Sequence, residues 1–226
     1  MTRETRASRF FTRRTIDRRA LLRVAALALA PAASACSSLI PGSAAPPQLY
    51  VLTRKTTFPP DLPAVSRQLL VQTPGAPAEI DTVRIALTRS PTTIDYFANA
   101  AWSDRAPAMV QSLLIESFEQ TGKITSVARD SAVLRADYIL MPELRRFEAR
   151  YQNGDAPPTV LVQLLVRLVK MPDRTIIGED LGEARQTAAA NTMDGIVEAY
   201  NEALGSVMKR LVTWTLRSMR QDSGPR

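Results

Sequence analysis

Residues 159–170 read TVLVQLLVRLVK and give the clearest indication of secondary structure in the chain. In an extended strand, one face of this stretch carries Val160, Val162, Leu164, Val166 and Leu168. The opposite face carries Leu161, Gln163, Leu165, Arg167 and Val169, so it is only partly polar. Apolar residues on both faces are typical of a strand inside a sheet. The stretch therefore predicts a central strand covered on both sides. Leu161, Leu165 and Val169 either face helices, which is the favoured interpretation, or line an exposed groove.

The segments around this strand predict the rest of a sheet. Tyr138–Tyr151 reads as a long strand in which Pro142 marks an edge or a bulge, because proline cannot donate to a ladder. Met171-Pro172-Asp173-Arg174 predicts a turn, after which Thr175–Arg185 returns as the partner strand. Shorter strands are predicted upstream at Leu49–Thr53, Leu69–Gln72, Arg84–Thr88, Thr93–Phe97 and Lys123–Arg129.

Two segments have apolar residues at helical spacing. Asp104–Gln120 is predicted to be a helix with Ser103 as N-cap, Pro107 in its first turn and Gly122 at its end. Thr192–Met219 is the longer helix, capped by Asn191 or Thr192. Strands interrupted by one helix and closed by another predict an α+β fold, a mostly antiparallel sheet with two main helices packed on one face.

The first 35 residues have the organisation of a secretory signal peptide. Eight arginines precede Cys36, and Ala20–Ala35 consists mostly of Ala, Leu and Val. A charged region, a short apolar region and small residues before the cleavage site are the parts of such a signal. The apolar run contains Arg23 and is shorter than the ~20 residues that span a bilayer. Residues 1–35 therefore predict a cleaved signal rather than a permanent span.

Cys36 is the only cysteine in the chain. Ala33-Ser34-Ala35-Cys36 resembles a bacterial lipobox, although Ala33 stands where that pattern prefers Leu. The resemblance implies that Cys36 becomes the first mature residue and carries diacylglycerol and an amide-linked acyl chain such as palmitate. Several acyl chains anchor a soluble domain where one would not. The alternative is an ordinary cleaved signal with an incidental or buried structural cysteine.

The export route and the final membrane follow from neighbouring residues. Asp17–Arg23 resembles a twin-arginine motif, but paired arginines also arise by chance in an arginine-rich segment, so the general secretory route stays open. By resemblance to lipoprotein sorting rules, Ser37 in place of Asp favours the outer membrane. The expected location is therefore periplasm-facing and anchored to the outer membrane.

The basic character of the chain belongs to the signal peptide. The whole sequence has 29 basic and 22 acidic residues, a net charge of +7, whereas 21 basic and 20 acidic residues remain after Cys36. A near-neutral mature chain lacks the clustered positive charge of nucleic-acid binding, so no such partner is expected. A short basic cluster at Arg145, Arg146 and Arg150 is interpreted as a solvated face of a strand.

Composition divides the mature chain into a tether, one domain and a tail. Residues 36–48 contain Pro41, Gly42, Pro46 and Pro47, which predicts a lipidated flexible tether. Residues 49–220 predict a single α+β domain, large enough to bury ~70% of the surface of its unfolded chain. Residues 221–226 are predicted to be a disordered tail.

The residues that enzymes use are scarce. The chain has no histidine, the commonest general base and a common metal ligand. It contains no glycine-rich phosphate loop and no nucleophile elbow. The carboxylate pairs Glu116/Glu119 and Glu179/Asp180 are interpreted as surface charges, the second at the end of a strand. The sequence therefore predicts a non-enzymatic protein with no catalytic residue, no metal site and no cofactor beyond the lipid on Cys36.

Three aromatic residues precede the first helix. Tyr96, Phe97 and Trp102 are a candidate partner interface, because aromatic side chains often anchor protein contacts. The alternative, slightly favoured, is that they pack beneath the helix.

The mature chain resembles the ABC-type transport auxiliary lipoprotein family, which includes the PqiC lipoproteins. The resemblance covers roughly Gln48–Met219, and no part of it is a catalytic signature. It rests on Gln48-Leu49-Tyr50-Val51-Leu52, Arg84-Ile85-Ala86-Leu87, Ile94-Asp95-Tyr96-Phe97, Trp102–Pro107, the Tyr138 strand with Phe147, and Ala199–Leu204.

Membership of that family implies a membrane-anchored accessory of an ABC transporter that works with an MCE-type substrate-binding protein. Such systems move lipids or other hydrophobic molecules across the cell envelope. Some relatives form rings, so the resemblance also includes homo-oligomers among the expected partners. Two other functions stay open. One is a periplasmic carrier that holds acyl chains between sheet and helices, and the other is a lipoprotein regulator of cell-wall synthases.

Overall fold

The computed structural model describes residues 46–132, 135–152, 154 and 156–223. The signal peptide, Cys36 and most of the predicted tether therefore lie outside the described residues. The strands are β1 (Gln48–Tyr50), β2 (Val65–Val71), β3 (Arg84–Ser90), β4 (Thr93–Trp102), β5 (Ile124–Arg129), β6 (Tyr138–Arg150), β7 (Thr159–Lys170) and β8 (Thr175–Thr187). The helices are α1 (Ala106–Thr121) and α2 (Met193–Asp222), and a short 3₁₀ turn covers Asp130–Ala132.

The strand predicted from residues 159–170 has the predicted bounds. β7 pairs antiparallel with β6 on one side and with β8 on the other, from Thr159 to Lys170. These two ladders are the longest of the sheet, so the prediction of a mostly antiparallel α+β sheet is confirmed.

β6 joins the two halves of the sheet, because its second edge is shared by two parallel strands. β2 pairs with its beginning, with Leu69 opposite Tyr138, and β3 pairs with its end, with Thr88 opposite Arg150. β5 lies beside β2, whereas β4 and then β1 lie beyond β3. The sheet is therefore mixed. β6 pairs in parallel with β2 and with β3, and the other parallel pairs are β1 with β4 and β2 with β5.

Pro142 lies in the interval between β2 and β3. Its carbonyl accepts a hydrogen bond from the Gly75 N–H at 3.1 Å, so its ring nitrogen faces the same side of the strand. The register shift of β6 falls instead between Leu144 and Arg146. The prediction of an edge strand or a bulge at Pro142 was therefore wrong. β6 has neighbours along both edges, and the proline nitrogen, which has no hydrogen to donate, faces the short interval between β2 and β3.

Both helices pack on one face of the sheet, as predicted, and their ends follow local chemistry. Pro107 lies in the first turn of α1, and Gly122 ends it in the left-handed conformation at φ 60°. The predicted Ser103 cap was wrong: the helix begins at Ala106, whose N–H donates to the Thr82 carbonyl instead. Thr192 caps α2 by accepting from the Gly195 N–H.

Two other boundaries differ from prediction for reasons visible in the contacts. β1 ends at Tyr50 because the chain then turns to the helices, where the Thr53 N–H donates to Asn201 Oδ1. α2 continues to Asp222, whose carboxylate accepts from the Tyr138 hydroxyl at 2.6 Å and pairs with Lys170. The predicted disordered tail was therefore wrong at residues 221 and 222, and residues 224–226 lie outside the described part.

The space between sheet and helices is filled by large side chains. Trp102, Phe147 and Tyr200 form a ring cluster with centroids 4.9–5.6 Å apart. The Tyr200 hydroxyl donates to the Ala86 carbonyl, and burial raises its pKa well above the ordinary value. Glycines at positions 178 and 182 of β8 bring that strand against α2. Among the described residues, no helix combines the length and the hydrophobicity needed to cross a bilayer.

Candidate functional site

The face of the sheet opposite the helices is the first candidate surface. Leu164 lies opposite Gly182, which contacts α2, so Leu165 and its neighbours point the other way. Leu161, Leu165 and Val169 are buried but lie outside the core cluster formed with the helices. The prediction that helices cover these three residues was therefore wrong, because β7 is apolar on both faces and the helices use the other one.

Charged and apolar rows alternate across this outer face, which β6, β7 and β8 form. Arg167 lies between Glu143, at 3.6 Å, and Glu179, at 3.1 Å. The guanidinium of Arg145 donates to Glu143, which lowers the pKa of that carboxyl below its ordinary value. Apolar side chains that remain exposed on the three strands are Met141, Ile176 and Leu181.

The second candidate surface is a cleft of about 780 Å³ at the end of the sheet, which we name the arginine cleft. Its walls come from the end of β3, the β3–β4 turn and the end of β6. Arg89, Arg146 and Arg150 line it together with Glu79 and Glu148. The sequence had indicated Arg146 and Arg150 only as a solvated strand face. Arg89 was missed because only the parallel pairing of β3 with β6 brings it to this end of the sheet. With Thr88 opposite Arg150, the Arg89 side chain lies with Tyr151 on the helix side, and those of Arg146 and Arg150 lie on the other side.

Two of the cleft arginines are held by neighbouring groups. Nε and Nη2 of Arg150 lie 2.8 and 2.7 Å from Oε1 of Glu148, whose side chain is only 3% exposed. The guanidinium carbon of Arg89 lies 4.4 Å from the centre of the Tyr151 ring, a cation–π distance. The Tyr151 hydroxyl in turn donates to Asn191 Oδ1 at 2.7 Å.

A smaller apolar cleft of about 400 Å³ adjoins the arginine cleft, and Arg89 and Tyr151 line both. We name it the aromatic cleft. Its other walls are Leu87, Tyr96, Phe97, Ala98, Asn191, Thr192, Met193 and Ile196.

The three aromatic residues predicted as a candidate interface lie in different places. Tyr96 and Phe97 are half-buried in the wall of the aromatic cleft. Trp102 is 1% exposed and packs against Phe147 and Tyr200. The interface prediction was therefore wrong for Trp102, because β4 turns that residue into the core beneath the helices. It stays a prediction for Tyr96 and Phe97.

The carboxylate pair Glu179/Asp180 noted in the sequence is separated by the fold, whereas Glu116 and Glu119 both lie on α1. Glu179 and Asp180 are neighbours in the middle of β8, not at its end, and they point to opposite faces. Glu179 pairs with Arg167 on the outer face, and Asp180 accepts two hydrogen bonds from Arg210 of α2. Glu116 lies 3.8 Å from Arg54. In the described part of the chain, no three acidic, histidine or cysteine side chains gather as a metal site.

Comparison with known proteins decides the family. The sequence profile of the ABC-type transport auxiliary lipoprotein component family matches residues 50–212. The chain belongs to this family. The match covers the sheet from the last residue of β1 onward and most of α2, including the walls of both clefts.

Two solved structures share the fold. A crystal structure of a protein from Xanthomonas campestris is 32% identical, with a TM-score of 0.73, over 78% of this chain and 98% of that one. The crystal structure of another, uncharacterised protein is 14% identical, with a TM-score of 0.55, over 71% and 97% of the two chains. At that identity the second likeness concerns the fold alone.

A sequence relative comes from Bradyrhizobium diazoefficiens. That uncharacterised protein is 28% identical over 177 residues, which are 77% of this chain and 47% of the relative. The matched region thus spans about half the length of that relative.

Proposed function

We propose that this auxiliary lipoprotein is a non-enzymatic component of an ABC transport system with an MCE-type protein, and that the system moves lipids or other hydrophobic molecules across the envelope. The family match supports the transport role. Lipidation of Cys36 would hold the domain at a membrane, the outer membrane being favoured by Ser37. The tether before β1 would let it reach partner proteins in the periplasm.

The observation that carries a docking role, rather than a carrier role, is the filled layer between sheet and helices. Phe118, Phe147, Tyr200 and Met208 are at most 2% exposed there. Acyl chains would have to displace these side chains, and interiors packed at this density resist such insertion. A domain with a fully packed interior is suited to binding partner proteins through its surface.

The outer face of the sheet fits a protein partner by its composition. Its ion pairs neutralise one another, so the face has little net charge to repel a neighbour. Exposed Met141, Ile176 and Leu181 lie between those pairs, and Ile176 is 62% exposed. Apolar side chains within a rim of polar groups are typical of interfaces between proteins. We assign this face to a protein component of the transporter.

Site-specific crosslinking in intact cells tests the proposal. A photoreactive amino acid replaces Leu181 on the outer face, and a matched control replaces Lys209 on the solvent side of α2. We expect crosslinks from position 181 to an MCE-type or ABC protein, identified by mass spectrometry, and none from position 209. A Cys36→Ala variant should lose acyl labelling, leave the membrane fraction and lose the crosslinks.

Other outcomes separate the alternatives. Crosslinks to cell-wall synthases would replace the proposal with the regulatory function. Copurified lipid without any protein partner would favour the carrier, and crosslinks between two copies would indicate homo-oligomerisation. Repeated failure to capture any transport protein from position 181, with the protein correctly lipidated, would overturn the proposal.

A further inference from the structure

Strand β8 is 13 residues long, and among the described strands it pairs only with β7. In the described part of the chain, its other edge therefore presents unpaired backbone groups, which are a template for a further strand. Proteins often protect such an edge with proline, lysine or a bulge. β8 contains neither proline nor lysine, and its register shift lies at its beginning, opposite Leu168 and Val169. The rest of the strand is open to pairing.

The register of β7 and β8 shows which peptide groups face the open edge. The Ala188 N–H, directly after β8, donates to the Pro158 carbonyl at 2.9 Å, so residue 188 faces β7. Along an antiparallel strand, successive residues direct their N–H and C=O groups to opposite edges. The register is unbroken over residues 178–187. Four residues therefore direct their backbone groups to the open edge: Glu179, Leu181, Glu183 and Arg185.

The outer side of this edge is acidic. Glu179 and Glu183 flank Leu181, and the Glu179 side chain is 60% exposed. Arg167, which pairs with Glu179, lies on β7, away from the open edge. β8 has three acidic residues and one basic residue, Arg185, which pairs with Glu183. Because opposite charges on adjacent strands stabilise a sheet and like charges destabilise it, this side suits a strand with basic residues.

The helix side of the same edge offers an apolar contact. A Cβ atom on Gly178 would lie 3.4 Å from the Trp214 ring, which is only partly buried. Asp180, the charged residue of β8 on this side, accepts two hydrogen bonds from Arg210. Its charge is therefore already satisfied, and a strand added at the edge can place apolar side chains beside Trp214.

We propose that the open edge of β8 binds an extended segment of a partner protein, with basic residues on one side of the segment and apolar residues on the other. The segment adds a strand to the sheet through main-chain hydrogen bonds. Its basic residues lie beside Glu179 and Glu183, and its apolar residues lie beside Trp214. A second copy of this chain is a poorer occupant, because pairing β8 with itself would bring two acidic strands together. The inference goes beyond the proposed function, since it concerns the edge of the sheet and holds whichever protein supplies the segment.

Amide hydrogen exchange, followed by NMR in the purified full-length chain in a neutral maltoside detergent, tests this site. The probe is a peptide with blocked ends, Ser-Lys-Val-Thr-Val-Lys-Ser, which reads the same in both directions and so fits either strand orientation. In the free protein, the amides of Glu179, Leu181 and Glu183 should exchange fast, whereas those of Asp180 and Gly182 should be protected by β7. Peptide at about ten times its Kd should slow exchange of the first three amides about tenfold.

Two control peptides separate charge from main-chain pairing. Ser-Glu-Val-Thr-Val-Glu-Ser places acids beside Glu179 and Glu183, so it should bind more weakly than the lysine peptide. The lysine peptide with an N-methylated central threonine keeps the charge and loses the N–H that faces Leu181. It should bind at least about fivefold more weakly, since one hydrogen bond is lost.

Two variants at one position are the matched pair in the protein. Glu183→Thr removes the charge but keeps the N–H at the edge, and should weaken the lysine peptide about threefold. Glu183→Pro also removes the N–H, and should weaken it about fivefold further. Proline is tolerated on an edge strand where its nitrogen faces solvent, and thermal unfolding checks both variants. Equal losses in two folded variants would contradict pairing at this edge, and the exchange measurement on the parent protein needs neither variant.

Four results would overturn the inference. They are unchanged exchange at the three edge amides, equal affinity of the lysine and glutamate peptides, equal affinity of the N-methylated peptide, and protection of the edge amides without any peptide. If that last protection rises with protein concentration, a second copy is the occupant.

The transporter contact is tested separately, by crosslinking in cells from position 181. A protein that lies on the outer face without pairing to β8 gives crosslinks there, although the lysine peptide leaves the edge amides unchanged. The control position 209 lies two residues from both Val207 and Leu211, which face the sheet, so it points away from the edge. Failure of edge pairing and failure of the transporter contact are therefore seen independently.

Discussion

The two faces of β7 show how similar side chains can serve different purposes. On the inner face, Val162, Leu164 and Val166 are fully buried against α2 and belong to one continuous core. On the outer face, Leu161 and Leu165 are nearly as buried, at 1% and 5% exposure, although the helices lie on the other side. Gln163 and Arg167 share the outer face of β7 with these leucines, and long polar side chains of this kind can cover apolar surface with their aliphatic stems.

The two faces of β7 differ in how rigidly the groups that lie over them are held. Helix α2 is tied to the sheet by the Tyr200 hydroxyl, by the Arg210–Asp180 pair and by close contact at Gly182. Long charged side chains cover apolar surface with their aliphatic stems, yet they can move aside. If a partner docks on this face as proposed, we expect it to displace the ion pairs and contact the outer leucines.

The largest predicted effect compares adjacent leucines on the two faces. Leu→Ala in a core costs about 2–5 kcal/mol, and the cost depends on how far the surroundings collapse. Leu164→Ala should lower the free energy of unfolding by about 4 kcal/mol, because the packed helix holds the cavity open. Leu165→Ala should cost about 2 kcal/mol, because mobile side chains refill the space. Urea denaturation measures both, and equal losses would contradict the comparison.

The next effect tests the close approach of α2 to β8. A methyl group on Gly182 would lie 2.7 Å from Val207 Cγ1 and 3.1 Å from Leu211 Cγ, whereas one on Gly178 would lie 3.4 Å from the Trp214 ring. Gly182→Ala should therefore cost about 1–3 kcal/mol through overpacking. Gly178→Ala is the matched control and should be near neutral. A loss of the same size at Gly178, measured by the same urea series, would mean that strand conformation and not contact with α2 sets the cost.

Local patterns predicted the elements well. The alternation of residues 159–170 gave β7 its observed ends, and the turn at 171–174 followed by a returning strand gave the β7–β8 hairpin. Pro107 and Gly122 placed α1 correctly to within two residues at each end, because both act on the backbone of their own turn.

Non-local features could not be predicted in the same way. β7 is apolar on both faces, so its sequence does not say which face the helices cover; the small residues Gly178 and Gly182 of the next strand decide it. The arginine cleft depends on the parallel pairing of β3 with β6, which no spacing within either segment indicates. Glu179 and Asp180 are adjacent in sequence, but successive side chains of a strand point to opposite faces, so the two carboxylates do not form one surface pair.

The smallest predicted effect concerns the ion pairs of the outer face. Arg145, and then Arg167, lower the pKa of Glu143 below its ordinary value of 4.5, so the folded state favours the charged carboxylate. A depressed carboxyl pKa adds stability above the unfolded value, and that stability is lost as the pH falls through the folded value. Because the Glu143 side chain is 41% exposed, solvent screening should keep the contribution below about 1 kcal/mol.

Glu143→Gln tests this assignment by its pH dependence. The variant should be slightly less stable than the parent protein at neutral pH, and the difference should shrink as the pH falls below 4.5, where the parent carboxyl takes up its proton. Added salt should shrink the difference at neutral pH as well, since exposed ion pairs are screened. Arg145→Gln offers the matched removal of the partner and should reproduce much of the same pH dependence. A difference that stays constant with pH and salt would mean that Glu143 stabilises the fold through packing. The side chains of the outer face would then be held as rigidly as those of the inner face, and a partner could not displace them.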